Sequence, residues 1–135
     1  MPYHLVELDS LEALERARPS PSAWTEWVSP SGQDQIYLYV AGNQADATEI
    51  VRARMLSTQG GVREDPATGS AAAALTGHLA QKKGVGRWHW RIEQGIEMGR
   101  PSRILAEVER TEDDLAIRIA GQAVIVGRGT LHLPG

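Results

Sequence analysis

Thr68-Gly69-Ser70-Ala71-Ala72-Ala73-Ala74-Leu75-Thr76-Gly77-His78-Leu79-Ala80 is the stretch on which the architecture turns. It reads as a helix over 69–80 whose surface is almost entirely small side chains. An alanine methyl buries little apolar area, so such a helix gains little by lying against one flat face. It makes sense where backbone must approach closely on several sides, as inside a curled sheet.

The flanking sequence supplies that sheet. Beyond Gly84 and Gly86 the pattern changes to period two, over Trp88–Glu93, Arg103–Arg110, Leu115–Ile119 and Ala123–Val126, with a last segment at Thr130–Leu133. Upstream, residues 3–8 predict a short strand. Asp9 or Ser10 caps a helix over Leu11–Arg18 that turns Leu11 and Leu14 inward. Pro19 and Pro21 break it, Trp24, Trp27 and Val28 suggest a second short helix, and Ser-Pro-Ser-Gly at 29–32 is a turn. Ile36–Val40 and Glu49–Leu56 predict strands, and Gly60–Gly61 opens a loop ending in Glu64-Asp65-Pro66. The fold expected is one α+β domain over 1–135: a strongly bent sheet or partial barrel around the 69–80 helix, with two short helices outside.

Composition sets outer bounds. A chain of 135 residues holds one hydrophobic core and is too short for two ordinary ones. At 41% hydrophobic and 23% charged residues it has the make-up of a soluble globular protein. Its formal charge of −3 and scattered Lys and Arg carry no footprint for nucleic acid or an anionic membrane. Without cysteine there is no disulfide, no thiolate nucleophile and no cysteine-ligated metal. Met-Pro-Tyr-His is not the start of a signal peptide, and the apolar runs are shorter than a membrane span, so a cytoplasmic location is the expectation.

The chemistry concentrates in Glu64-Asp65-Pro66-Ala67-Thr68-Gly69-Ser70-Ala71-Ala72. A glycine-containing turn entering a helix leaves backbone N–H groups pointing one way, at the positive end of the helix dipole. That is a ready site for a carboxylate. Gly69 permits close approach, Ser70 adds a hydroxyl, and Asp65 can accept from an amine or hydroxyl or take part in proton transfer. The same residues also read as a plain helix start, with Pro66 in the first turn and Thr68 or Ser70 as simple caps. A second segment, Gln94-Gly95-Ile96-Glu97-Met98-Gly99-Arg100-Pro101-Ser102, reads as another close-approach loop, or as a hairpin with Arg100 in a surface ion pair.

In this order and spacing, the two segments resemble the signatures of the phenazine-biosynthesis PhzF-like isomerase family. Glu-Asp-Pro-Ala-Thr-Gly-Ser-Ala and Gln-Gly-x-x-Met-Gly-Arg-Pro-Ser are characteristic of its C-terminal half, and the resemblance extends over essentially the whole chain. It implies a diaminopimelate epimerase-like domain, a curved sheet around a central helix, one of two that flank a cleft. It also implies cofactor-free proton transfer on a small carboxylate substrate. Asp65 then corresponds to the aspartate that holds substrate and relays a proton. Thr68, Gly69 and Ser70 correspond to substrate-binding residues at the helix start, and Gly99 and Arg100 belong to a loop closing the pocket.

The family's principal acid/base glutamate and its Gly-His-Pro segment belong to the N-terminal domain, and neither is found here. The one Gly-His pair, Gly77-His78, lies within the helix and lacks the proline. Glu64 is the tempting stand-in for the missing base, but its motif role is expected to be the orientation of Asp65. No His/Asp/Glu cluster has metal-ligand spacing, and His4, His78, His89 and His132 read as structural residues. Three functional readings follow: half of an isomerase needing a complementary N-terminal half, a homodimer with two Asp65 loops face to face that binds a small carboxylate, or a non-catalytic binding or interaction domain or decayed remnant.

Overall fold

The computed structural model describes residues 3–45, 48–58 and 63–132. Among them are seven strands in one sheet and one long helix. The strands are β1 (His4–Glu7), β2 (Gln35–Ala45), β3 (Thr48–Ser57), β4 (Arg63–Asp65), β5 (Gly86–Gln94), β6 (Ser102–Arg110) and β7 (Leu115–Gly121). Along the sheet the order is β1-β2-β3-β5-β6-β7, with β4 paired to β3. The pairs β1/β2 and β3/β5 are parallel and the others antiparallel.

The small-residue helix is α3 (Gly69–Lys83). It lies on one face of the curved, unclosed sheet, against Tyr37, Tyr39, Val51, Ala53, Met55, Trp90, Ile92, Ile104, Ala106 and Val108. Ala71, Ala72, Leu75, Thr76, Gly77 and Ala80 are its buried positions. Close approach is visible at Gly77, where an added Cβ would stand 2.8 Å from Ile117 Cδ1 of β7. The hydroxyl of buried Thr76 donates back to the Ala72 carbonyl (2.8 Å), so burial leaves it satisfied. Arg110 closes the far end of α3 by donating to the carbonyls of Ala80 and Gln81 (3.1 and 2.7 Å).

The opposite face carries α1 (Leu11–Arg16) and α2 (Pro21–Ala23), which continues through a π-helical turn (Trp24–Val28) and a 3-10 turn (Ser29–Ser31). Ser10 caps α1 by accepting from the Ala13 N–H (3.1 Å), and Ser20 caps α2 through Ala23. Leu14 and Trp24 are buried there, whereas Leu11, expected to face inward, is 44% exposed.

Two expectations are corrected. β4 was expected as the end of a loop but forms three rungs with β3, because Arg63, Glu64 and Asp65 find its free edge at Ser57, Leu56 and Met55. Ala123–Val126 and residues 130–132 form no strand, since no described strand pairs with them. Val124, Ile125, Val126 and Leu131 stand 76–95% exposed. Gly60, Gly61 and Leu133 lie outside the described residues.

Candidate functional site at the start of the central helix

One edge of β3 serves two strands in succession. Thr48–Ala53 pairs with β5, ending at Ala53 opposite Gln94, and Met55–Ser57 pairs with β4, beginning at Met55 opposite Asp65. Ala53 and Met55 both point toward α3, and residues opposite one another share a face. The end of β5 and the end of β4 are therefore brought together beneath the first turn of α3. Alternation sends the neighbouring residue to the other side. Glu64 faces outward and is held bidentately by Arg54, with Nε to Oε1 at 2.8 Å and Nη2 to Oε2 at 2.9 Å. It neither touches Asp65 nor remains available as a base.

Thr68 is the residue before the helix, yet its side chain makes no capping bond. Its hydroxyl instead donates to Asp65 Oδ2 at 2.6 Å and accepts from Gln94 Nε2 at 3.0 Å. The plain-cap reading of Thr68 is thereby set aside. The N–H groups of Gly69, Ser70 and Ala71 meet no acceptor among the described residues, and the first helical bond runs from Ala72 N–H to the Thr68 carbonyl (3.0 Å). Asp65, Gly69 and Ser70 are exposed. The Ser70 hydroxyl shares a 2.7 Å hydrogen bond with the Tyr3 hydroxyl.

Beneath this surface lie Gln94 and Tyr37, both without solvent exposure. Tyr37 donates to Gln94 Oε1 (2.9 Å), and burial first, then the nearby Asp65 charge, pushes the phenol well above its ordinary pKa. Neither residue was singled out for the site from sequence, although Gln94 opens the second motif. Tyr3 and Tyr37 carried no signal at all, since a strand tyrosine pointing to a core looks the same wherever it ends.

The second motif forms the turn between β5 and β6. Gly99 N–H donates to the Ile96 carbonyl (3.0 Å) and Arg100 N–H to the Gly95 carbonyl (2.9 Å). Its base is fastened to the first motif: the Ser102 hydroxyl donates to the Pro66 carbonyl at 2.6 Å, and an added Cβ on Gly95 (φ +77°) would lie 2.9 Å from the same oxygen. Glu97 is tied to Arg52 of β3 at 2.6 Å. Gly99 and Arg100 are exposed at the tip, and no hydrogen bond joins them to Asp65–Ser70.

The histidines lie apart from this cluster. His4 shares a hydrogen bond with Ser31 (2.9 Å), His89 faces Glu107 at 3.6 Å, and His78 and His132 are exposed. Among the described residues no group of His, Asp and Glu is placed to hold a metal, and no helix is long and apolar enough to cross a membrane.

With that geometry in hand, comparison with known proteins decides the family. The family model described as "Phenazine biosynthesis-like protein" matches residues 2–129. The chain belongs to this family. An uncharacterized isomerase of Pasteurella multocida is 39% identical over 131 residues, which is 96% of this chain and 41% of that protein. A trans-2,3-dihydro-3-hydroxyanthranilate isomerase of Pseudomonas fluorescens is 37% identical over 142 residues, covering 98% of this chain and 45% of the relative. The chain thus spans less than half the length of these relatives. Among solved structures, a Bacillus anthracis phenazine biosynthesis protein of the PhzF family superposes with a TM-score of 0.71 at 22% identity, over 87% of this chain and 41% of the other. That similarity supports the mixed α+β fold and its curved sheet.

Proposed function

We propose that this chain is the C-terminal, diaminopimelate epimerase-like domain of a PhzF-like isomerase, acting by cofactor-independent proton transfer on a small carboxylate substrate. The observation that carries the reading is the uncapped start of α3. The N–H groups of Gly69, Ser70 and Ala71 meet no acceptor among the described residues: a helix start leaves its first N–H groups unpaired, and the Thr68 hydroxyl that could cap Ser70 or Ala71 is turned onto Asp65. A substrate carboxylate fits those donors, with the Ser70 hydroxyl beside them. Asp65, with one oxygen held by Thr68, accepts from the substrate's amine or hydroxyl and relays its proton. Gly99 and Arg100 close over the substrate from the second loop.

The domain works with a complementary half. Glu64 is committed to Arg54, so among the described residues Asp65 is the one carboxylate left at this wall, and with Asp65 holding the substrate the principal acid/base group has to come from the complementary half. The relatives, more than twice as long, have sequence from which such a half can come. The same observation favours a second reading, a homodimeric or partner-bound domain that binds small carboxylates without catalysis.

Deuterium uptake from solvent into trans-2,3-dihydro-3-hydroxyanthranilate separates the two. The isomerase reading expects no uptake with this chain alone and uptake once a complementary half is supplied. Asp65→Asn and Ser70→Ala are expected to fold and to abolish it. Persistent lack of uptake with the half present, together with measurable carboxylate binding, leaves the binding domain.

A further inference from the structure

We propose that Gln94 is a positioning residue that aims the Thr68 hydroxyl at Asp65 and thereby keeps the start of α3 uncapped. The inference rests on reading Asp65–Ser70 as the substrate wall. Gln94 is fully buried, and its amide is engaged to capacity. Oε1 accepts from the Tyr37 hydroxyl (2.9 Å) and the Thr68 N–H (3.3 Å), while Nε2 donates to the Asp65 carbonyl (2.7 Å) and to Thr68 Oγ1 (3.0 Å). Only this orientation of the amide is consistent: a backbone carbonyl can only accept and a backbone N–H can only donate. Reversing the amide would set oxygen against oxygen at Asp65 and N–H against N–H at Thr68.

The direction of the next bond follows. Because Thr68 Oγ1 accepts a hydrogen bond from Gln94 Nε2, its own single proton points elsewhere, and it is donated to Asp65 Oδ2 at 2.6 Å. Asp65 Oδ1 has no partner among the described residues and is left for the substrate. A threonine immediately before a helix ordinarily turns its oxygen to the second or third N–H of the first turn, here Ser70 or Ala71. Gln94 opposes that default. It holds Thr68 in the arrangement that leaves that N–H to a ligand and restrains the carboxylate, so that two features of the wall depend on one amide.

Amide hydrogen exchange tests this on the chain itself. Gln94→Met keeps a similar volume and cannot form these bonds, so Thr68 should revert to an ordinary cap. Protection at Ser70 or Ala71 is expected to rise several-fold even as the rest of the fold is weakened, a local gain that general destabilisation cannot produce. The gain should vanish in Gln94→Met/Thr68→Val. In parallel, affinity for 3-hydroxyanthranilate, the aromatic counterpart of the relatives' substrate, should fall by roughly tenfold in Gln94→Met, about one hydrogen bond to a charged group. Thr68→Val should show a comparable fall, and the double variant no larger one.

Gln94→Glu, nearly isosteric, gives a second route if the Met variant does not fold. Its carboxylate draws the Thr68 proton away from Asp65, so affinity falls without gained protection and returns as acid protonates the new side chain. A folded Gln94 variant with unchanged amide protection and unchanged affinity overturns the proposal. Wild-type affinity in Asp65→Asn and Ser70→Ala, or no affinity in the wild-type chain, overturns the reading of the wall and the role of Gln94 with it.

Discussion

Arg54 and Glu64 meet through two parallel hydrogen bonds of 2.8 and 2.9 Å on the face of the sheet away from α3. The same guanidinium donates to the carbonyls of Leu14 and Ala17 (2.7 and 3.0 Å), so it joins β4 to the end of α1. Arg54 is 4% exposed. Its pKa is raised, chiefly by the bond to Glu64, against the opposing effect of burial.

Glu64→Gln therefore probes structure rather than chemistry. Removing the anion leaves a buried guanidinium short of its counter-charge, which costs about 3 kcal/mol or more. Urea unfolding should register that loss, while any carboxylate affinity at the start of α3 survives at temperatures where the variant is folded. Lost affinity in a folded Glu64→Gln would return Glu64 to the site.

Asp65→Asn should behave in the opposite way. Asp65 caps no described helix; among the described residues its Oδ2 accepts only the Thr68 hydroxyl, and an asparagine oxygen can do the same. Stability should change by no more than about 0.5 kcal/mol. Ser10→Ala removes a true cap and should cost about 1 kcal/mol. Equal losses in the two variants, measured side by side, would mean that Asp65 is structural.

Gly95 and Gly99 offer a controlled pair, both in the left-handed region at φ +77° and +71°. Alanine at 99 meets nothing within 4 Å and should cost only the backbone strain, about 1–2 kcal/mol. Alanine at 95 carries the same strain and also collides with the Arg100 carbonyl and crowds the Pro66 carbonyl at 2.9 Å. It should cost about 1–3 kcal/mol more. Similar unfolding midpoints for the two would show that the motifs are not fastened at Gly95.

Alkaline pH should weaken the fold through its tyrosines. Tyr37 is raised by burial, then by the Asp65 charge, and Tyr39 is pushed up to about 12 by burial and its hydrogen bond to Glu7. Unfolded tyrosines titrate near about 10, so the unfolded state gives up protons first. Stability is full below that pH and falls as pH rises, for Tyr39 up to about 12. Each contributes a slope of at most about 1.4 kcal/mol per pH unit. Tyr37→Phe should make the decline between pH 10 and 11 shallower, as read from urea midpoints.

The central helix was legible because its residues are unusual: five alanines and two glycines have few uses besides close packing. The strands flanking it were legible from alternation, which directly reflects one face meeting α3. β4 was not, since Arg-Glu-Asp has no strand propensity and pairs only because β3 has a vacant edge there. Ala123–Val126 shows the reverse, strong propensity with no partner among the described residues. At the site, Asp65 and Ser70 could be named because a turn before a helix is local in sequence. Gln94 and Tyr37 reach it across β5 and β2, and Glu64 pairs with Arg54 rather than steering Asp65. Those relationships exist only after the register is set.

The divided edge of β3 limits how this sequence can drift in length. Gln94 lies under α3 because Ala53 stands opposite it, and side chains alternate along the strand. Losing one residue from β5 ahead of Ile92 would turn that amide outward onto the face of Arg91 and bring the Glu93 carboxylate to the buried position of Ile92. The chain could still make a similar sheet, yet the amide under Thr68 would be gone and a carboxylate would be buried against the helix. Length changes are far safer in the Thr111–Asp114 turn, where a shift moves no residue of the first motif. Reading frame within β5, more than any single substitution there, is what this wall can least tolerate losing.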